Sequence, residues 1–354
     1  MVTGCCFGTS PGDAPAGDCI YPKDDGWLNI CVGALRRPVS ANSNWLATGD
    51  VKTQDWLGAG NQIGFNFGAG KFGCDYINPS PTDPVVRVTR NTAIAGGGDS
   101  ANLLNAAGKF VDVKIPTYVT GRNPPNNALD SNVEVYSDGF WWSFTHFERQ
   151  TATTGRALAC FKYNPFTAKG WGSPRTSGTA ASISRVATSI RPHEVRGAGV
   201  INHVIHVAVR YANAAGLKAI LGKTARWPAV STDSTVAPND GRFEYGSLLS
   251  IPPFEKGGPS KSSLGLTSFG GKLYDAFLGY GVLITDKGEL TAKGRCGLSG
   301  GGAGAVWTTA EANELNAQFL KLYDHLRLID NNVEGTTYSG GNALPLASYC
   351  APDR

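Results

Sequence analysis

The chain has 354 residues, with 46 glycines, 20 prolines and a single methionine, a composition that suits many strands joined by tight turns and does not suit a helical bundle. Charged residues make up 17% and the formal net charge is +4, with no lysine/arginine block, which argues against nucleic acid as a partner. No run of about 18 apolar residues is present, so no membrane-spanning helix is expected.

Residues 1–40 are rich in Gly, Pro and Cys and are read as a separate, loop-rich N-terminal segment. Four of the eight cysteines fall here, Cys5, Cys6, Cys19 and Cys31, and the others are Cys74, Cys160, Cys296 and Cys350. No Cys-x-x-Cys pair exists and zinc-finger spacing is absent, so neither a metal site nor any other cofactor is expected. An even count with an N-terminal cluster favours disulfides and an oxidising compartment, the alternative being buried free thiols. Met1 is followed directly by Val-Thr-Gly-Cys-Cys, without the apolar stretch of a signal peptide. Val2-Thr3-Gly4-Cys5 does match the end of a bacterial lipoprotein signal, in four small residues.

Residues 41–354 are read as one β domain closed by a C-terminal helix. Its short apolar runs at 44–46, 62–67, 85–88 and 110–115 alternate with turn signals, as in a sandwich or barrel, and the run at 27–32 is an expected strand of the N-terminal segment. The glycines between 58 and 70 lack the Lys-Ser/Thr and the helix of a phosphate loop. Residues 127–150 read as a β-hairpin about Asp138-Gly139. A two-residue turn places Val135 opposite Trp142, Val133 opposite Phe144 and Ser131 opposite His146. That face is apolar. The other carries Asp130, Asn132, Glu134 and Tyr136 opposite Phe147, Thr145, Ser143 and Trp141, and is read as one wall of a cleft.

Further on, 157–163 is an expected strand, and a turn of helix is expected to start near Pro192. Residues 199–211 are expected to form a strand, with His203 in an apolar row and His206 beside Asn202 and Arg210 on the other face. A strand at 245–251, a short helix at 272–280 ended by Gly281, and a buried strand at 282–286 follow. Thr308-Thr309-Ala310-Glu311 is a capping box, and Leu315, Phe319, Leu322 and Leu326 repeat at helical spacing. The fold class expected is mostly β: an antiparallel β-sandwich or jelly-roll with a few peripheral helices.

Two passages carry a resemblance. Residues 195–205, from Val195 to Ile205, resemble a Glu/Gly-x-Ile-x-His-Ala-Leu pattern, and Tyr274 to Gly288 resembles Ala-Leu-x-x-Tyr-Gly-Met-x-x-x-Asp-x-Gly. Both patterns belong to a group of secreted, largely uncharacterised bacterial and fungal β-rich proteins that look carbohydrate-related. The group has an upstream Asp-x-His-x-x-x-x-Asp motif; here the corresponding stretch is Asp130-Ser131-Asn132-Val133-Glu134, with Asn132 where histidine is expected. The resemblance spans residues 125–330 and implies an extracellular or cell-surface location and a polysaccharide connection.

The function expected is that of an extracellular polysaccharide-degrading enzyme, a glycoside hydrolase or polysaccharide lyase. Candidate catalytic residues are Asp130, Glu134, Glu194, His203 and Asp286; candidate substrate-binding residues are Asn132, Tyr136, Trp141, His206 and Arg210. Asp130 and Glu134, four apart on one strand, are roughly 13 Å apart, too far to act as a pair across a glycosidic bond. A partner for either acid is expected from Glu148, Glu194 or Asp286. The alternative is a non-catalytic carbohydrate-binding or structural protein of a surface or a virion. A Gly-x-Ser-x-Gly elbow and a strand–Gly-loop–helix unit are both absent, which argues against a serine hydrolase and a dinucleotide-binding fold.

Overall fold

The structure, a computed structural model, describes residues 39, 42–50, 53, 74–77, 79–94, 100–121, 132–164, 179–190, 192–209, 225–229, 231, 244–287, 291–292, 298–299 and 308–332. The expected strands at 27–32 and 62–67 lie outside these residues, as do Asp130, Arg210 and the N-terminal cysteines.

The described residues form three sheets, mostly antiparallel, with few helices, so the fold is β-rich. The first sheet is organised on the hairpin of β4 (Asn132–Ser137) and β5 (Phe140–Thr145), and the register is the one the Asp-Gly turn dictates: Ser137 pairs with Phe140, Val135 with Trp142, Val133 with Phe144. Asp138 and Gly139 have φ of 53° and 79°, the two left-handed positions of a type I′ turn. β8 (Ala159–Tyr163) adds antiparallel to β5, and β1 (Cys74–Ile77) adds parallel to β4. β13 (Leu298–Ser299) completes the order β13-β1-β4-β5-β8.

The second sheet has four strands. β2 (Val85–Arg90) pairs with β3 (Phe110–Lys114) and β7 (Thr154–Ala157), and β6 (Glu148–Arg149) lies outside β7. β2 alternates exposed and buried residues, with Val86 and Val88 inward. Those residues share one core with Val113, Ile115, Phe147, Ala157 and with Val133, Val135, Trp142 and Phe144 of the first sheet. The apolar face of the hairpin is thus buried on the second sheet.

The third sheet runs β12-β9-β11-β10-β14. β9 is Ile205–Val209 and β11 is Val282–Lys287, and the two are parallel. β10 (Leu248–Ser250) lies antiparallel to β11, with β14 (Arg327–Leu328) beyond it and β12 (Thr291–Ala292) at the far edge. β9 is shorter than the strand expected at 199–211: Ile201 and His203 precede it, in irregular chain. His203 donates from Nδ1 to the carbonyl of Val204 and is tied to Glu194, which fits a local turn better than a ladder.

Four α-helices accompany the sheets among the described residues. α1 (Arg185–Thr188) is one turn, capped by Ser184. α2 (Pro192–Val195) begins at the proline. α3 (Ser268–Gly279) is capped by Thr267 and ends before Gly281, whose φ is +80°. α4 (Thr309–Tyr323) has the full capping box between Thr308 and Glu311. α3 and α4 pack directly, with the Phe277 and Phe319 rings 5.6 Å apart edge-on. Leu315, Phe319 and Leu322 are buried; Leu326 is buried too, but beyond the helix end. Among the described residues, no helix is long and apolar enough to cross a membrane.

Candidate functional site

Period-two alternation on β4 predicts one apolar and one polar face. The apolar face is in the core, and the polar face is buried as well. Trp141 and Tyr163 from that face share a second core with Ile183, Val186, Val204, Ile205 and Ile284. The first sheet is therefore covered on both sides at the hairpin. The polar face is a seam between the first sheet and α1, and α1 in turn touches β9.

Glu134 sits at the centre of this seam, 0% exposed. Ser143, directly across the hairpin, donates to its Oε1 at 2.8 Å. Arg185 Nη1 lies 3.9 Å from the same oxygen, with its own side chain 3% exposed. Burial pushes the carboxyl up to about 8, with Arg185 and Ser143 opposing the rise. Burial thus favours the protonated form of Glu134. Its Oε2 is buried without a hydrogen-bond partner among the described residues.

α1 links this acid to a histidine. Arg185 and Thr188 are three apart on one helical turn, with Cβ atoms about 5–6 Å apart. Thr188 donates its hydroxyl proton to the Ser184 carbonyl at 2.8 Å. The same oxygen lies 2.6 Å from His206 Nδ1, so the proton in that contact comes from the imidazole. The tautomer of a neutral His206 is therefore fixed, with the proton on Nδ1 and the lone pair on Nε2. Tyr163 and Ser184 hydroxyls, 3.1 Å apart, add a second contact between β8 and the cap of α1.

Glu194 and His203 form a separate pair. Both are buried, and His203 Nε2 lies 3.1 and 3.2 Å from the two Glu194 oxygens. Because Nδ1 already donates to Val204, one further proton is shared between Nε2 and the carboxyl. α2, which carries Glu194, is pinned by Lys272, donating to the carbonyls of Val195 at 2.9 Å and Gly197 at 2.8 Å. Arg196 adds a bidentate contact to Glu311 on α4, at 2.6 and 2.8 Å.

The remaining candidates are dispersed. Asn132 is buried on the Glu134 face, two residues away. Trp141 is 0% exposed and has no ring face open to a ligand; its ring lies 5.5 Å from that of half-buried Tyr136. Asp286 is buried at the end of β11. Of the acids expected to partner Glu134, Glu194 is engaged by His203 and Glu148 is bound by Arg156 on the second sheet at 3.0 Å. Arg185 and Thr188, which face Glu134 and His206, were not among the residues singled out from the sequence.

Cys160 is a free, buried thiol, pushed well up by burial and by Glu134, so it does not belong to a disulfide. Among the described residues no group of three or more His, Cys, Asp or Glu side chains could hold a metal.

No protein-family model, curated protein or solved structure matches the chain. The seam has to be read on its own chemistry.

Proposed function

We propose that the chain is an extracellular polysaccharide-degrading enzyme, a glycoside hydrolase or polysaccharide lyase, on an antiparallel β-sandwich of jelly-roll type. The observation that carries this reading is Glu134: a fully buried carboxyl, oriented by Ser143, set beside Arg185, and pushed up to about 8 by its burial. A carboxylic acid in that state is what protonation of a leaving glycosidic oxygen requires. His206, with its Nδ1 proton given to Thr188, has the basic nitrogen that abstraction of a sugar proton or activation of water would use. The resemblance of residues 195–205 and 274–288 to carbohydrate-related secreted proteins supports the same substrate class and location.

The second reading is a non-catalytic glycan-binding or structural protein of a surface or virion. It is favoured by the full burial of Trp141 and Glu134, which leaves half-buried Tyr136 as the aromatic of this face nearest to solvent. Incubation with a broad polysaccharide panel, reading reducing ends and unsaturated products, separates the two. The enzyme reading expects products on at least one polymer, and a kcat lowered by about 10²–10⁴ in Glu134→Gln. Retained binding with no product from any polymer assigns the second reading.

A further inference from the structure

The row of the hairpin next to Glu134 contains an unusual concentration of buried polar atoms. Continuing the register one step beyond the Val133–Phe144 pair sets Asn132, the first residue of β4, against Thr145, the last of β5. Both side-chain polar atoms of Asn132, Oγ1 of Thr145 and Oε2 of Glu134 are buried, and none has a hydrogen-bond partner among the described residues. Asn132 is 2% exposed and Glu134 0%. All three side chains project from the same face, since Asn132 and Glu134 are two apart on β4 and Thr145 lies across from Asn132. Cross-strand spacing and strand rise make the patch roughly 5 Å by 7 Å. Thr145 is only half-buried, so the patch approaches solvent at that end.

Polar atoms in such a place are costly unless a partner supplies their hydrogen bonds. Their chemistry limits the partner. Asn132 Nδ2 and Thr145 Oγ1 donate, the Glu134 carboxyl faces Arg185, and Asn132 Oδ1 can only accept. A group that accepts at two oxygens and carries a neighbouring hydroxyl to donate matches that set, and the adjacent guanidinium favours a negative charge on it. A carboxylate on a hydroxylated ring has this pattern; a neutral hexose, whose hydroxymethyl arm replaces the carboxylate, does not.

We infer that Asn132, Thr145 and Glu134 form a subsite for the carboxylate of a uronic acid residue, so that the polymer taken is an acidic polysaccharide. The inference rests on the proposed glycan reading and names its substrate class. Asn132 and Thr145 are binding residues here, and Arg185 is a positioning residue that acts through Glu134.

The test uses the full chain and tetrasaccharides of galacturonate, mannuronate and glucuronate-containing polymers, each beside its neutral galactose, mannose or glucose counterpart. Affinity is read by thermal shift and titration calorimetry. An acidic tetrasaccharide is expected to raise Tm where its neutral counterpart does not, and the affinity is expected to fall about tenfold in Thr145→Val, which removes one hydrogen bond at constant shape. Asn132→Asp, isosteric but anionic, is expected to abolish binding. The inference is overturned if neutral tetrasaccharides bind as well as acidic ones, if no tetrasaccharide binds, or if Thr145→Val and Asn132→Asp both bind as the unmodified chain does. Cleavage of a neutral polymer with no acidic preference would leave the enzyme reading standing and remove this one. Acid-selective binding that depends on Thr145, without cleavage of any polymer, would do the reverse.

Discussion

Replacing Glu134 by glutamine tests the central electrostatic claim directly. Two effects compete at this carboxyl. The attraction of a guanidinium at 3.9 Å amounts to about 4 kcal/mol at an effective dielectric of about 20. Removing the carboxylate from water costs several kcal/mol, and 3.9 Å is beyond hydrogen-bond length, so the guanidinium does not replace the lost solvation. Burial wins, and the group moves from 4.5 to about 8. At 1.36 kcal/mol per pH unit this difference corresponds to about 5 kcal/mol. The sign follows from which state holds the proton. Between 4.5 and about 8 the folded protein keeps it and the unfolded chain releases it, so stability falls as pH rises through that window and is level outside it. The amide that replaces the carboxyl has no proton to lose in this range and mimics the protonated acid. Urea unfolding of both proteins is expected to give similar stabilities at about pH 4.5, with Glu134→Gln the more stable by up to about 5 kcal/mol at about pH 9. A difference that stays flat across this range would refute the argument. A difference of opposite sign would show that Glu134 is an ionised partner of Arg185.

Three other perturbations probe the frame that holds the seam. Glu311→Ala removes the capping box of α4 and the bidentate contact to Arg196, and is expected to cost about 1–2 kcal/mol by urea denaturation. Its Arg196 hydrogen bonds, assisted by Thr308, hold the Glu311 carboxyl down at about 2, so this stabilisation is present above 4.5 and is lost as pH falls from there toward about 2. Gly281→Ala places a Cβ 2.5 Å from the Leu249 carbonyl oxygen at a φ of +80°, and is expected to lower stability by about 2 kcal/mol or more, read as a shift of the urea midpoint without a change of slope. Cys160 is expected to resist a thiol reagent in the native protein and to react on unfolding, as counted by mass spectrometry; rapid labelling of the native chain at Cys160 would contradict its burial beneath the hairpin.

Much of the local structure was legible in the sequence because its determinants are local. Asp138-Gly139 sets a type I′ turn, and the turn sets the pairing of Val135 with Trp142 and Val133 with Phe144. Thr308 and Glu311 set the start of α4, Pro192 that of α2, and Gly281 follows the end of α3. Period-two alternation correctly separated Val133 and Val135 from Asn132 and Glu134. It could not say what covers each face. The strand expected at 199–211 was overextended because Ile201 and His203 fit the alternation, while the bonds that hold His203 run to Glu194 and to its neighbour's carbonyl. Alternation counts side chains and is blind to a histidine whose partner lies on another element.

The sequence by itself determined the β-rich class, the hairpin register and which residues share the Glu134 face. Tertiary structure alone decided that this face is a buried seam and not an open cleft wall. It did so by laying α1 across the hairpin, bringing Arg185 to Glu134 and Thr188 to His206 over separations that no local spacing encodes. The physical reason is that a carboxyl's protonation depends on its solvation and on charges within a few ångströms, and both are set by what packs above the strand. Along the chain, Glu134 is one acid in an alternating run; in the fold it is a fully buried carboxyl beside a guanidinium, at the edge of a patch of buried polar atoms.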